Sequence, residues 1–81
     1  MAEVGDTLKK DFFISHRYIT LGQLLKAAAI IQTGGRAKWY LRQTPVLVNH
    51  DSENRRGRKL YPGDRIQVKN VGLFVIRKKP A

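Results

Sequence analysis

Apolar residues recur at helical spacing in the first half of the chain. Four of them stand at positions i, i+3, i+4 and i+7, which is one face of an α-helix: Leu21, Leu24, Leu25 and Ala28. Thr20 and Gln23 have the spacing of a capping box, in which each side chain accepts a hydrogen bond from the other residue's backbone N–H. The pattern predicts a helix that begins after Thr20 and is closed by Ile30 and Ile31. Gly22 in its first turn costs this helix about 1 kcal/mol.

A second, shorter helix is predicted after a turn around Gln32. Thr33 is its candidate N-cap, followed by two glycines. Three residues then share an apolar face: Ala37, Tyr40 and Leu41. Lys38 and Arg42 lie one turn apart on the opposite face. Pro45 ends the helix, because proline disfavours α geometry at the residue before it.

The remaining segments have the apolar alternation and the turn composition of β-strands. Strands are predicted at residues 12–14, 46–48, 66–68 and 73–76. Residues 49–52 have turn composition, and a returning strand at 53–55 would complete a hairpin. Residues 62–64 and 70–72 carry the other two turn signals.

These elements predict one domain, because 81 residues leave no room for a second. We expect a flexible leader at 1–10, the domain at 11–77 and a basic tail at 78–81. No apolar run approaches the roughly 18 residues of a membrane helix, and no signal-peptide core is present. The absence of cysteine excludes disulfides and thiolate metal sites. A cytoplasmic protein is the simplest interpretation.

Charge points to the class of partner. Sixteen Lys and Arg against six Asp and Glu give a formal net charge of +10. Self-repulsion destabilises a folded domain with this imbalance, and a polyanionic partner is the usual reason for it. A disordered basic tail is a poor alternative, because 42% of the residues are hydrophobic. The composition therefore predicts nucleic-acid binding, with an anionic membrane surface as the weaker alternative.

Three groups of residues are candidates for phosphate contacts. The first is on the second helix and comprises Arg36, Lys38 and Arg42. The second is the basic loop, with four cations in five positions: Arg55, Arg56, Arg58 and Lys59. Such a cluster repels itself unless an anion lies between the charges, and arginine forks match phosphate oxygens. The third is Thr33, Gly34 and Gly35, where free backbone N–H groups would suit a phosphate. The alternative for each group is a solvated surface without a partner.

The aromatic and acidic residues give weaker indications of function than the basic groups. Trp39 is expected to pack against the core, with stacking on a base as the alternative. Tyr40 is predicted to be a core residue, and the role of Tyr61 is left open. His50 and Asp51 are adjacent in a predicted turn and so project in different directions. With no metal-ligand cluster and no nucleotide-binding fingerprint, we expect no catalytic site, no metal and no cofactor.

The order of these elements resembles the S4 RNA-binding domain, the module found in ribosomal protein S4, several pseudouridine synthases and tyrosyl-tRNA synthetases. The matching stretch runs from 19 to 68, and its most specific strings are at 19–26, 33–38, 46–49 and 55–64. The strings at 33–38 and 55–59 are most similar to the small stand-alone bacterial S4 proteins of the YaaA type. The chain departs from the pattern at His50, where many S4 domains have glycine.

The resemblance implies an α+β, S4-like (αL) fold. Two antiparallel helices would pack on a small curved, mainly antiparallel sheet of four to five strands. RNA would lie across the second helix and the hairpin loops, so that Thr33, the start of that helix and its three cations meet the RNA backbone. The basic loop would flank it.

The sequence thus predicts a non-catalytic protein that binds structured RNA, either ribosomal RNA, a ribosome-associated RNA or a tRNA-like RNA. The ribosomal subunit is a possible partner, and no membrane or small-molecule substrate is expected. Three alternatives remain: an accessory domain of an RNA-modifying enzyme, a DNA-binding protein, and a ribosome assembly or quality-control factor that holds a protein partner on the strand at 73–76.

Overall fold

The structure, a computed structural model, describes residues 9–80 of the chain. Two helices and seven strands follow one another in the order β1 (Lys9–Ile14), β2 (Ile19–Thr20), α1 (Leu21–Ala27), α2 (Arg36–Gln43), β3 (Val46–Val48), β4 (Asp51–Glu53), β5 (Lys59–Leu60), β6 (Arg65–Val68) and β7 (Gly72–Lys78). No helix within this part of the chain is long and apolar enough to cross a membrane.

Helix α1 begins where the capping box predicts. The Thr20 hydroxyl accepts from the N–H of Gln23 at 3.3 Å, and the Gln23 side chain accepts from the N–H of Thr20 at 2.9 Å. Both side chains satisfy backbone donors that the helix itself leaves without partners. The start of α1 is therefore fixed by its own sequence.

The end of α1 lies earlier than the apolar pattern suggests. Ala28 is the C-cap, and Ala29 adopts a left-handed conformation with φ of 61°. The N–H of Ala29 donates to the carbonyl of Lys26 at 3.0 Å, and that of Ile30 to the carbonyl of Leu25 at 2.9 Å. These two bonds form a Schellman motif, which usually has glycine at the left-handed position. The chain therefore reaches Ile30 through this turn, and α1 does not continue to it.

Helix α2 does not begin with a Thr33 cap, and that prediction was wrong. The N-cap is Gly35, with φ of −67° and ψ of −22° and no side-chain hydrogen bond. The N–H groups of Arg36 and Ala37 donate to the carbonyls of Thr33 and Gly34 at 3.1 and 3.2 Å. Because a tight turn already satisfies these two donors, no hydroxyl is needed at the start of the helix.

Five strands form a mixed sheet in the order β1-β7-β6-β3-β4, and β2 pairs with β5 in a separate two-stranded sheet. Only the pairing of β1 with β7 is parallel among these strands. The predicted α+β class and the mainly antiparallel sheet are confirmed. Lys9 and Lys10 of the expected leader belong to β1, and residues 1–8 lie outside the described residues. Lys78 of the expected tail is the last residue of β7, and Ala81 lies outside as well.

The β3–β4 hairpin is shorter than expected. Val48 pairs with Asp51, so that Asn49 and His50 alone make the turn. Their φ angles are 51° and 77°, and two positive values are typical of a type I′ turn. The returning strand is β4 and not residues 53–55. The Asn49 side chain holds the turn, because its oxygen accepts from the N–H of Arg65 at 3.0 Å.

Both helices and the sheet contribute to one core. In β3 and β6 buried and exposed residues alternate, so each strand presents one face to the helices. The largest fully buried side chains are Leu21, Leu24, Leu25, Leu41, Leu60, Ile66, Ile76, Val46, Val48 and Val68. This core leaves the polar flank of α2 and the basic loop outside, where they are available to a partner.

Candidate nucleic-acid interface

The basic loop is attached to the start of α1 through its backbone. The N–H of Leu21 donates to the carbonyl of Arg58, and the N–H of Gly22 donates to the carbonyl of Arg56, both at 2.8 Å. The first N–H groups of a helix have no partner inside it, so the loop carbonyls take that role. The short pairing of β2 with β5 holds the far end of the loop. Its position is therefore fixed relative to the helices.

Gly22 brings the basic loop and α2 together. A Cβ at this position would lie 3.3 Å from the Cβ of Arg56 and from its carbonyl oxygen, and 3.5 Å from the Cβ of Ala37. A larger residue would push against the loop, whose two atoms lie closest, while α2 is in ordinary van der Waals contact. The cost of glycine in a helix is thus explained by close packing, and the basic loop and α2 lie next to each other at this point.

Glu53 lies among the arginines of the loop and is only 7% exposed. Its carboxylate accepts from the Nε of Arg55 at 2.9 Å, from the Nη2 and backbone N–H of Arg55 at 3.1 and 3.0 Å, and from the Nη1 of Arg58 at 2.9 Å. These hydrogen bonds, above all the one from the Arg55 side chain, lower the pKa of Glu53 to about 2. The same hydrogen bond raises the pKa of Arg55. The anion that the arginine cluster requires is therefore part of the chain itself.

The other candidate cations have no such partner. Of the seven candidate cations on α2 and the loop, five make no ion pair within residues 9–80: Arg36, Lys38, Arg42, Arg56 and Lys59. Two of the four loop cations are thus engaged in holding the loop, and two are left to meet an external anion. Together with the three cations of α2 they make the basic surface, a name used below for these five residues.

The glycine turn before α2 is open but is not the cradle that the sequence suggests. Gly34 and Gly35 are exposed, and a Cβ on either would meet nothing within 4 Å. The N–H groups of Arg36 and Ala37, however, are already bonded within the turn. A phosphate approaching Thr33 and the two glycines would therefore find fewer free donors than expected.

The expectation that Trp39 packs in the core was wrong. Trp39 is 56% exposed, and the guanidinium carbon of Arg42 lies 5.1 Å from its ring centroid, a cation–π distance. Tyr40 is half-buried against the core, and burial raises its pKa. At 100° per residue, Trp39 lies about 160° around the helix from Ala37, on the side of Lys38 and Arg42, so the helical period itself favours exposure.

A second aromatic cluster lies beside the loop and escapes sequence reasoning. The rings of Tyr18 and Tyr61 are 5.8 Å apart and tilted by 50°, and the Nζ of Lys59 lies 5.0 Å from the centroid of Tyr18. The pairing of Ile19 with Leu60 places these neighbours together. That pairing joins residues about forty positions apart, so no local pattern could reveal it.

The acidic residues have structural roles. His50 and Asp51 are exposed in and after the hairpin turn. Asp64 accepts from the N–H of Tyr61 at 2.8 Å and from the Asn49 side chain at 3.1 Å, which ties two turns together. Within the part of the chain that the structure describes, no group of three or more His, Cys, Asp or Glu side chains could hold a metal.

Comparison with known proteins identifies the family. A family model described as the S4 domain matches residues 12–76, which is most of the chain. The chain belongs to the S4 domain family. The match extends beyond the S4 motif recognised from the sequence to include half of β1 and most of β7. S4 domains bind RNA, so the basic surface lies on a domain of an RNA-binding family.

The S4 chain is also similar to a named bacterial protein. It is 52% identical over 63 residues to "Probable ribosome maturation protein RlbA" of Bacillus subtilis (strain 168). The aligned region covers 78% of this chain and 89% of that relative. The resemblance to small bacterial S4 proteins is therefore confirmed.

Proposed function

We propose that this protein is a non-catalytic RNA-binding protein that places its basic surface on structured RNA of the ribosome, in the cytoplasm. The observation that carries the proposal is the packing at Gly22. A Cβ at this position would be in contact with both the basic loop and α2. We expect the cations of these two segments to lie on one surface. Double-helical RNA offers phosphates and 2′-hydroxyls more readily than base edges, and a compact cationic surface suits it.

The proposed contacts fall into two kinds. The basic surface would meet phosphates directly, together with the exposed turn of Thr33, Gly34 and Gly35. Arg55 and Arg58 would act mainly by holding the loop, because Glu53 already engages their guanidinium groups. One carboxylate balances one of the two guanidinium charges, so this group of three side chains keeps a single positive charge. Removing either one therefore tests loop position more than phosphate contact.

Ribosomal RNA is the proposed partner because of the relative's name. That protein is called a ribosome maturation protein, and the aligned region spans nearly its whole length. Maturation of a ribosome exposes folded RNA on which a small basic domain can bind. Binding of the whole ribosomal subunit would follow from the same contacts.

A role that depends on a protein partner along the last strand is not favoured. The strand β7 lies between β1 and β6, so both of its edges are paired. Phe74, Val75 and Ile76 are buried. Neither an open edge nor an apolar side is therefore available on this strand for β-augmentation.

Cross-linking the protein to RNA in cells and sequencing the attached fragments tests the proposal. We expect reads concentrated in ribosomal RNA. A variant with Lys38→Ala, Arg42→Ala and Arg56→Ala should lose about tenfold or more of its affinity for the recovered fragment. The matched control, Lys69→Ala, Lys78→Ala and Lys79→Ala, removes the same charge outside the basic surface and should lose much less. Equal losses of affinity in the two triple variants would mean that binding depends on overall charge and not on the basic surface. Reads without enrichment in ribosomal RNA would refute the proposed partner.

A further inference from the structure

A groove of about 470 Å³ lies between the α1–α2 connection and α2. Ile30 and Ile31 supply apolar lining from the connection, and Trp39 supplies an aromatic wall from the helix. Arg36 and two glutamine side chains, Gln32 and Gln43, line it as well. The lining is therefore mixed, with apolar and aromatic side chains beside amide and guanidinium groups, which matches a planar ligand with polar edges.

The exposure of Trp39 has a consequence at this groove. A single exposed aromatic residue is ordinary on a protein surface. Trp39, however, combines an aromatic wall with Arg42 at 5.1 Å and with the cation of Arg36 on the groove lining. An aromatic ring flanked by cations is the arrangement by which proteins bind unstacked bases, since the ring stacks on the base and the cations meet the adjacent phosphates.

We infer that this groove binds one unpaired base of the RNA, stacked on Trp39. The groove acquires this role only if the protein binds RNA as proposed above. The amides of Gln32 and Gln43 each offer donors and acceptors to the edge of the base, and Arg36 meets a phosphate beside it. Lys38 and Arg42 follow on the same helix, so the stem that carries the unpaired base continues onto the basic surface. The ligand is therefore structured RNA with a bulged or looped-out nucleotide.

The chain provides its own reporter, because Trp39 is its single tryptophan. The probes are an RNA hairpin with a fully paired stem and the same hairpin with one unpaired adenosine in the stem. Affinity is measured by anisotropy of the labelled RNA, and stacking by quenching of the tryptophan fluorescence. We expect both hairpins to bind, the bulged one about tenfold more tightly and with stronger quenching.

Two variants separate stacking from other causes of this preference. Trp39→Leu should bind both hairpins with the affinity that the wild-type protein has for the paired one. Phe13→Leu, which removes another exposed aromatic residue on β1, should keep the full preference. Circular dichroism of Trp39→Leu is expected to match the wild type, since the side chain is exposed.

Each outcome decides a different point. Equal affinities of the wild-type protein for the two hairpins, or a preference that persists in Trp39→Leu, would overturn the base site while leaving RNA binding intact. A failure of both hairpins and of ribosomal RNA fragments to bind would overturn the proposed function, and the base site with it.

Discussion

Glu53 carries a negative charge inside the most basic segment of the chain. Its carboxylate is almost buried and accepts four hydrogen bonds, three from Arg55 and one from Arg58. A buried carboxylate without partners would destabilise the fold, whereas this one lies between two guanidinium groups and offsets their mutual repulsion. One residue therefore holds the basic loop together.

Replacing Glu53→Gln should lower the free energy of unfolding at pH 7 by roughly 1–3 kcal/mol, because hydrogen bonds to a charged acceptor are lost. Urea denaturation monitored by circular dichroism measures the change. Asp51→Asn, on the exposed part of β4, is the control and should change stability little. Equal stability of the wild type and Glu53→Gln would show that the ion pairs contribute nothing.

The same carboxylate predicts a pH dependence. The pKa of Glu53 is lowered from 4.5 to about 2 in the folded protein, so folding favours the ionised form. Its contribution to stability is complete above pH 4.5 and is lost as the pH falls towards 2. The stability difference between wild type and Glu53→Gln should therefore shrink over this interval. A difference that stays constant from pH 7 to pH 2 would contradict the lowered pKa.

Ala29 is a second residue whose conformation has a measurable cost. Its φ of 61° is unfavourable for a residue with a Cβ. Ala29→Gly should raise the free energy of unfolding by about 1 kcal/mol, since glycine adopts the left-handed conformation freely. Ala27→Gly is the matched control inside α1 and should destabilise by about the same amount. Thermal denaturation should show a higher midpoint than the wild type for Ala29→Gly and a lower one for Ala27→Gly.

Within the basic loop the arginines divide into two roles. Arg58→Ala removes one partner of Glu53 and should reduce stability by about 1–2 kcal/mol. Arg56→Ala touches no ion pair in the described residues, so it should keep stability and weaken RNA binding by roughly fivefold. Denaturation and RNA titration of the same two variants test the division. If Arg56→Ala were the less stable variant, the assignment of roles would be reversed.

Local sequence patterns predicted several elements correctly. The capping box at Thr20 and the strand at Val46–Val48 are visible in the sequence, because each depends on neighbouring residues. The class of the fold followed from the resemblance to the S4 domain. The end of α1 is not visible in the sequence, because the chain turns at Ala29 without a glycine to signal it. The start of α2 was misplaced for a related reason, since a backbone turn replaced the Thr33 hydroxyl.

The candidate site shows the same division. All of the predicted cations are exposed or half-buried, and the sequence names them correctly as surface residues. It does not show that Glu53 engages Arg55 and Arg58, because the geometry of the β4 end depends on the register of the sheet. Nor does it reveal the contact at Gly22, which requires three segments of the chain to meet.

At the scale of the whole molecule, the net charge of +10 matters less than its distribution. Glu53 and Asp11 engage Arg55, Arg58 and Arg77 in ion pairs, whereas the basic surface has no acidic partner within residues 9–80. We therefore expect a positive field near α2 and the loop, which should attract a polyanion to this side of the domain.

This distribution predicts a specific salt dependence. If all five cations of the basic surface contact phosphates, the logarithm of the RNA affinity should fall with the logarithm of salt concentration at a slope of roughly −4 to −5. Lys38→Ala with Arg42→Ala should make the slope shallower by about 2, because two phosphate contacts are lost. Lys78→Ala with Lys79→Ala removes the same charge and should leave the slope unchanged.

Titrations of the three proteins with the same RNA between 50 and 300 mM salt, a range in which about four contacts change affinity by orders of magnitude, measure these slopes. The slope reports only the phosphates that the protein contacts, whereas the loss of net charge is the same in both double variants. Two double variants with equal slopes would therefore mean that the RNA responds to overall charge. A difference of about 2 between them would support contacts between α2 and the phosphate backbone, because both double variants remove two exposed cations from the same domain.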